Sequence, residues 1–307
     1  MSASDPRDRV LSSIDTSKLR VKVKSAPTIF LCGGPLESVP GARKSIRKEF
    51  MDHLSDNRLD MAHWVQCAED IQDWSHDSVY ADLKTFETHI AEIADITVLI
   101  LESPGSLAEL GMFSENSSLN KNLLVFVDAC HYNKRSFIKD GPLKYLEIMK
   151  TDRVFRYHIG QGSPAQYDEN YIAHVYSDIN DYLENLDRDV KFDTESEGHV
   201  TYLIVSLIWI FHALTQKEII EYLGYLGIDL AVKQFRQLVF TAQNFKFIRV
   251  EDYSSQRFFV PGHSSQKIDL FSSSEFLEKK SIVEQFYESD DKQSKRRSVL
   301  KRLKIGS

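Results

Sequence analysis

The segment Glu102-Ser103-Pro104-Gly105-Ser106-Leu107-Ala108-Glu109-Leu110-Gly111 follows the apolar run "DITVLIL". A strand therefore ends in a tight turn and leads into a helix with a carboxylate, Glu109, near its start. An ionised glutamate at the lip of a sheet is what a nucleophile or an oxocarbenium stabiliser requires. The same residue can serve structure alone, because Ser106-x-x-Glu109 is a capping-box signature. The helix N-terminus favours the ionised form in either case, by up to roughly 1 kcal/mol. Two other strand ends carry comparable chemistry. "TIFLCGGP" stops in Gly33-Gly34-Pro35, and "MAHWVQCAED" stops in Glu69-Asp70. Backbone N–H groups at Gly33-Gly34 and Gly105-Ser106 are candidates to hold phosphate or ribose oxygens, although Gly-Gly also serves any tight turn. Glu69, Asp70 and Glu87 are candidates for ribose hydroxyls or a base edge, or else ordinary surface carboxylates.

The elements that must position these groups alternate. After the first strand, "ARKSIRKEFMDHL" has a helical apolar face of Ile46, Phe50 and Leu54, and "SVYADLKTFETHIAEIAD" has one of Leu83, Phe86, Ile90 and Ile93. "ITVLIL" and "NLLVFVDA" are near-continuous apolar strands of the kind covered on both faces. The alternation predicts an α/β domain with a parallel sheet over 27–190, whose strand ends share one ligand-binding edge. Residues 1–26 read as a polar lead. From 191 to 275 the pattern changes to a buried helix ("HVTYLIVSLIWIFHAL"), a helix opened by Thr215 and Glu218 in capping-box register, and a third helix with Lys233 and Arg236 near its start. A hairpin around a Ser-Ser turn closes the series. Three helices and a hairpin describe a winged helix, used for nucleic acid or for protein contacts. Residues 276–307 form a basic tail with Lys292, Lys295, Arg296, Arg297, Lys301, Arg302 and Lys304, either solvated and mobile or an arm for phosphates.

Composition limits the function classes. The 307-residue chain carries a net charge of −7, which argues against a general nucleic-acid coat. No run of about 18 apolar residues is present to span a membrane, and the polar N-terminus is unlike a signal peptide. Cys32, Cys67 and Cys130 lack metal-ligand spacing and read as reduced structural thiols in a cytoplasm. No metal site is expected.

Leu31-Cys32-Gly33-Gly34-Pro35, Glu87 ahead of Ala94-Asp95, "ITVLIL" and Ser103 through Gly111 together resemble the nucleoside 2-deoxyribosyltransferase family. The resemblance places that family's nucleophilic glutamate on Glu109. Its base-recognising aspartate falls on Glu87 and its second active-site aspartate on Ser103, both departures from the pattern. "IFLCGG", "ESPGSLAELGMFS" and "KRSFIKDGPLKYL" resemble the toxin, or effector, of bacterial retron antiphage systems over nearly the whole chain. That resemblance implies a deoxyribosyltransferase-like domain joined to a winged helix. It implies partnership with a retron reverse transcriptase and its DNA–RNA hybrid, msDNA. It also implies cleavage of NAD or a related nucleotide at its N-glycosidic bond, with no cofactor, in a homo-oligomer. Arg135 and Ser136 are placed at the pocket from a loop or a neighbouring subunit. Other readings are a non-catalytic nucleotide sensor and a ligand-sensing transcription regulator. A third is a nucleotide phosphoribohydrolase, whose longer glycine run and upstream arginine partner this sequence lacks.

Overall fold

In the computed structural model, which describes residues 5–22, 27–37, 44–71, 79–149, 152–158, 170–186, 189–263 and 266–305, the apolar runs become strands of a parallel sheet. The chain begins with helix α1 (Pro6–Ser12) and strand β1 (Arg20–Lys22). Next come β2 (Ile29–Cys32), α2 (Ile46–Asn57), the single turn α3 (Leu59–Ala62), β3 (Val65–Gln66), α4 (Leu83–Ile93), β4 (Ile96–Leu101) and α5 (Pro104–Glu115). They are followed by β5 (Leu123–Asp128), α6 (Ala129–Tyr132), α7 (Lys144–Met149), β6 (Val154–Tyr157) and α8 (Tyr171–Glu184). The remainder is β7 (Asp189–Lys191), α9 (Glu197–Phe211), α10 (Gln216–Tyr225), α11 (Val232–Asn244), β8 (Ile248–Tyr253), β9 (Gln256–Pro261), α12 (Ser273–Ser289) and α13 (Ser294–Ile305). The chain divides into two compact units.

The sheet unit holds the described residues within 27–71 and 82–186. Its strands run in the order β3-β2-β4-β5-β6, every neighbouring pair parallel. Strands β2, β4 and β5 are buried along their whole length, as uninterrupted apolar runs require. Leu31, Val98 and Phe126 share one face with Phe50 and Leu54 of α2 and Val175 and Ile179 of α8. Side chains alternate along a strand, so Phe30 and Cys32 point to the other face. There Phe30 meets Phe113 of α5 edge-on, with centroids 6.3 Å apart. The chain leaves β2 for β3 on one side and returns to β4 on the other. The order thus reverses between β2 and β4, which makes their carboxyl ends the crevice of the sheet.

Several expectations change. The strand expected across "MAHWVQCAED" pairs only at Val65–Gln66, because α3 precedes it and a 3₁₀ turn, Ala68–Asp70, follows. Helix α5 begins at Pro104. Ser103 Oγ accepts the Ser106 N–H at 3.1 Å, and Ser106 Oγ accepts the Ser103 N–H at 3.1 Å. The cap belongs to Ser103 and Ser106, so the capping role considered for Glu109 is overturned: Glu109 lies in the second turn. Strand β6 and helix α8 were absent from the sequence reading, since "VFRY" is too short and mixed to stand out as an edge strand.

The second unit gathers the described residues within 5–22, 79–81 and 189–305. Helix α9 is buried on nearly every side. Helix α10 opens with the expected Thr215–Glu218 capping box. The β8–β9 hairpin turns at Ser254 and Ser255, whose φ values of 47° and 59° suit a primed turn. Leu214 forms a bridge to Phe259, adding a short third partner to the hairpin. The lead and the tail are folded parts of this unit, not loose ends. Helix α1 buries Val10 and Leu11, β1 pairs with β7, and α13 buries Val299 against Phe258 and Val260. Residues 1–4 and the side chain of Lys304 lie outside the described residues.

Candidate active site

Glu102, the last residue before the α5 turn, organises the crevice. Its carboxylate accepts the N–H groups of Gly34 at 2.8 Å, Ile46 at 2.6 Å and Arg47 at 3.0 Å. These include the otherwise unsatisfied donors at the start of α2, where a negative charge is also favoured by the helix dipole. The fit explains the glycine pair. A Cβ on Gly34 would stand 2.8 Å from Glu102 Cδ and 2.8 Å from Ser45 Cβ. Ser103 Oγ donates to the Gly33 carbonyl at 3.3 Å, tying the α5 cap to the same turn.

Arg47 crosses this edge. It is 3% exposed although it occupies the first turn of a helix, where a cation opposes the dipole. Its guanidinium donates to the Gly34 carbonyl at 2.6 Å and takes both oxygens of Glu69 at 3.1 and 2.5 Å. Glu69, by contrast, is half exposed. The pairing holds Glu69 below the usual carboxylate range, against the upward push of its own partial burial.

Glu87 of α4 and Glu109 of α5 lie beneath this ion pair, beside buried Cys32. Burial pushes the Glu87 carboxyl up to about 7, helped by the negative charges of Glu109 and Glu69 and opposed by Arg47. Burial pushes Glu109 up to about 7 as well, with Arg47 opposing and Glu69 adding to the rise. The Glu109 Oε2 atom is buried and accepts no hydrogen bond among the described residues. Arg47 ranks next after burial at Glu109 and last at Glu87, so its cation favours the ionised form more at Glu109. Two carboxyls held near neutrality can each give or take a proton at that pH. Cys32 is pushed well up by burial and by both glutamates, so it stays a thiol.

The expected residues are thus partly united. Gly33, Gly34, Glu69, Glu87, Ser103, Ser106 and Glu109 converge on the switch point. The Gly34 N–H is committed to Glu102 and the Ser106 N–H to Ser103, so these two donors are already used. Gly105 is exposed and Pro35 accepts from Ser45 Oγ, while the Asp70 carboxylate turns back onto the Cys67 N–H. Lys233 and Arg236 are exposed on α11. In the tail, Lys301 is exposed, Lys295 donates to the Ser254 carbonyl and Arg302 lies over Tyr253. Arg296 is 4% exposed, paired with Glu218 and stacked on Tyr287, and Arg297 caps the last carbonyls of α12. The expectation of a free basic arm is therefore corrected for those two arginines. A cavity of about 540 Å³ adjoins the crevice, lined by Glu102 and Ser103 and by the α6 loop with Arg135 and Ser136; Glu87 and Glu109 do not line it. Among the described residues no three His, Cys, Asp or Glu side chains are grouped to hold a metal ion. No described helix is long and apolar enough to cross a membrane. Arg47 and Glu102 escaped the sequence reading. A cation in the first turn of a helix and an acid closing an apolar strand were the signals.

A crevice at the switch point of a parallel sheet is where α/β proteins commonly bind small molecules, and here it carries acids. The profile of the STM3845 retron effector protein family matches residues 43–250, and the chain belongs to that family. It is similar to two Escherichia coli proteins. One, the "Retron Ec86 putative ribosyltransferase/DNA-binding protein", is 34% identical over 129 residues, covering 42% of this chain and 40% of that protein. The other, the "Retron Ec73 putative ribosyltransferase/DNA-binding protein", is 23% identical over 190 residues, covering 61% of this chain and 59% of that protein. The matched regions span less than two thirds of these relatives.

Proposed function

We propose that this retron effector cleaves the N-glycosidic bond of NAD or a related nucleotide, with Glu109 as nucleophile or oxocarbenium stabiliser and Glu87 as its protonated partner. The observation that carries the reading is the placing of buried Glu87 and half-buried Glu109 around Arg47 at the switch point, where burial pushes both carboxyls up. Glu109 attacks, or supports charge at, the anomeric carbon while the C–N bonding electrons leave with the base. Nicotinamide departs neutral, because its ring nitrogen begins cationic. A neutral base would take the Glu87 proton instead. Water then completes hydrolysis.

On this reading the sheet unit is a deoxyribosyltransferase-like domain and the three helices with their hairpin a winged helix. The relatives' printed names support glycosyl chemistry and DNA contact. The retron reverse transcriptase and msDNA would hold the toxin inactive, with Lys233 and Arg236 as candidate contacts and a homo-oligomer as the working form. The test is mass spectrometry of NAD and nucleotide pools in cells expressing the chain without its retron partners. NAD loss with free nicotinamide is expected for wild type and not for Glu109→Gln. Unchanged pools with soluble wild-type protein would instead favour a sensor that binds without cutting.

A further inference from the structure

The cavity beside the crevice has a feature that the catalytic reading leaves unused. Asp128, at the carboxyl end of β5, is 5% exposed and lines it. Its Oδ1 accepts the Cys130 N–H at 2.8 Å, capping α6. Its Oδ2 is buried and has no hydrogen-bond partner among the described residues. The Cys130 thiol, a weak donor, also interacts with this carboxyl, and a ligand hydroxyl is a stronger donor to a buried carboxylate oxygen. Leu107, Val127 and Leu143 supply apolar wall, with Tyr132 beside them. Lys134, Arg135 and Lys139 line the same cavity from the α6 loop, and the Arg135 side chain is 95% exposed, only loosely paired with Asp140 at 3.7 Å. The volume of about 540 Å³ lies within the roughly 300–1,000 Å³ of small-molecule sites.

We infer that this cavity binds a nucleoside monophosphate moiety. Asp128 Oδ2 accepts from the ribose hydroxyls, the base lies on the apolar wall, and the phosphate meets Arg135, Lys134 and Lys139. A metal ion fits less well, since of the two lining carboxylates Glu102 is already taken by backbone N–H groups, and the ion would face Lys44, Lys134, Arg135 and Lys139. The inference deepens the proposed function: the site would take the non-reacting half of a dinucleotide, favouring dinucleotides over nucleosides.

The test is calorimetric titration of the full-length protein with AMP, 2′-deoxy-AMP, adenosine and inorganic phosphate. AMP should bind best, and loss of the 2′-hydroxyl should weaken it roughly 10-fold or more. Asp128→Asn should weaken AMP by a similar factor and abolish the preference over 2′-deoxy-AMP. Arg135→Ala with Lys139→Ala should weaken AMP but not adenosine. Leu107→Trp, at an exposed position of α5, fills the cavity and should abolish binding, which keeps the inference testable should Asp128→Asn misfold. Absence of AMP binding to folded wild type would overturn the inference. So would unchanged affinities in Asp128→Asn, unchanged affinity in Leu107→Trp, or binding of phosphate alone with the affinity of AMP. Glu109→Gln should bind AMP like wild type, so turnover without AMP binding sinks this inference alone, and AMP binding without turnover sinks the catalytic reading alone.

Discussion

Replacing Glu87 with glutamine should make the sheet unit more stable at alkaline pH. Its carboxyl is moved from the ordinary 4.5 up to about 7, first by burial and then by the charges of Glu109 and Glu69. A carboxyl raised on folding is a liability when ionised. Its contribution is neutral below the unfolded value of 4.5, and folding stability is lost as the pH climbs to about 7, where the loss levels off. At about 1.4 kcal/mol per pH unit the full loss comes to about 3 kcal/mol. Glu87 is 8% exposed, so solvent screening removes little of it. Part of the cost is shared with Glu109, so the variant should recover about 2–3 kcal/mol at pH 8 and within about 0.5 kcal/mol of nothing at pH 4.5. Urea unfolding read by hydrogen exchange of the β2 and β4 amides reports this unit alone. A variant no more stable than wild type at pH 8 would refute the buried carboxyl pair, and with it the division of labour between Glu109 and Glu87.

Two other substitutions probe what holds the frame. Glu218 takes Arg7 at 2.5 Å and Arg296 at 2.6 Å, both guanidinium groups being largely buried. Glu218→Ala takes the carboxylate away from Arg296 and leaves Arg7 with Asp5 as its remaining acid among the described residues. It should cost about 3 kcal/mol, read by urea unfolding through α10 amide exchange, with Glu218→Ala/Arg296→Met recovering part of the loss. Gly34→Ala drives a Cβ to within 2.8 Å of Glu102 Cδ. It should cost about 1–3 kcal/mol in thermal denaturation of the sheet unit.

The sheet was legible because its strands are buried on both faces, and Val98 to Leu101 or Leu123 to Val127 can be little else. Helices α2 and α4 were legible from their 3.6-residue apolar faces, α10 from its capping box, and the hairpin from its Ser-Ser turn. The α5 start was misplaced by three residues, because Ser103 and Ser106 are both competent caps and only the proline between them decides. Helices α12 and α13 were hidden by charge: the "KQSKRRSVLKRLK" composition reads as solvated, yet Glu218 and the rings of Tyr287 and Phe258 neutralise and shelter Arg296. Such partners lie far away in sequence, beyond any local pattern. Glu109 was singled out from its motif, but its setting depends on Arg47, which approaches from another helix.

Glu102 bears on how a phosphorylated ligand would be held. A glycine turn followed by a helix ordinarily offers its N–H groups to a phosphate. Here the protein's own carboxylate fills that place, taking the Gly34, Ile46 and Arg47 donors. A phosphate at the same point would meet Glu102 charge to charge and find these three donors taken. Phosphate recognition near this crevice must then rest on side-chain cations, and the α6 loop supplies them in Lys134, Arg135 and Lys139. The glycine turn serves to seat Glu102 and, through Arg47 and Glu69, to set the charge around Glu109.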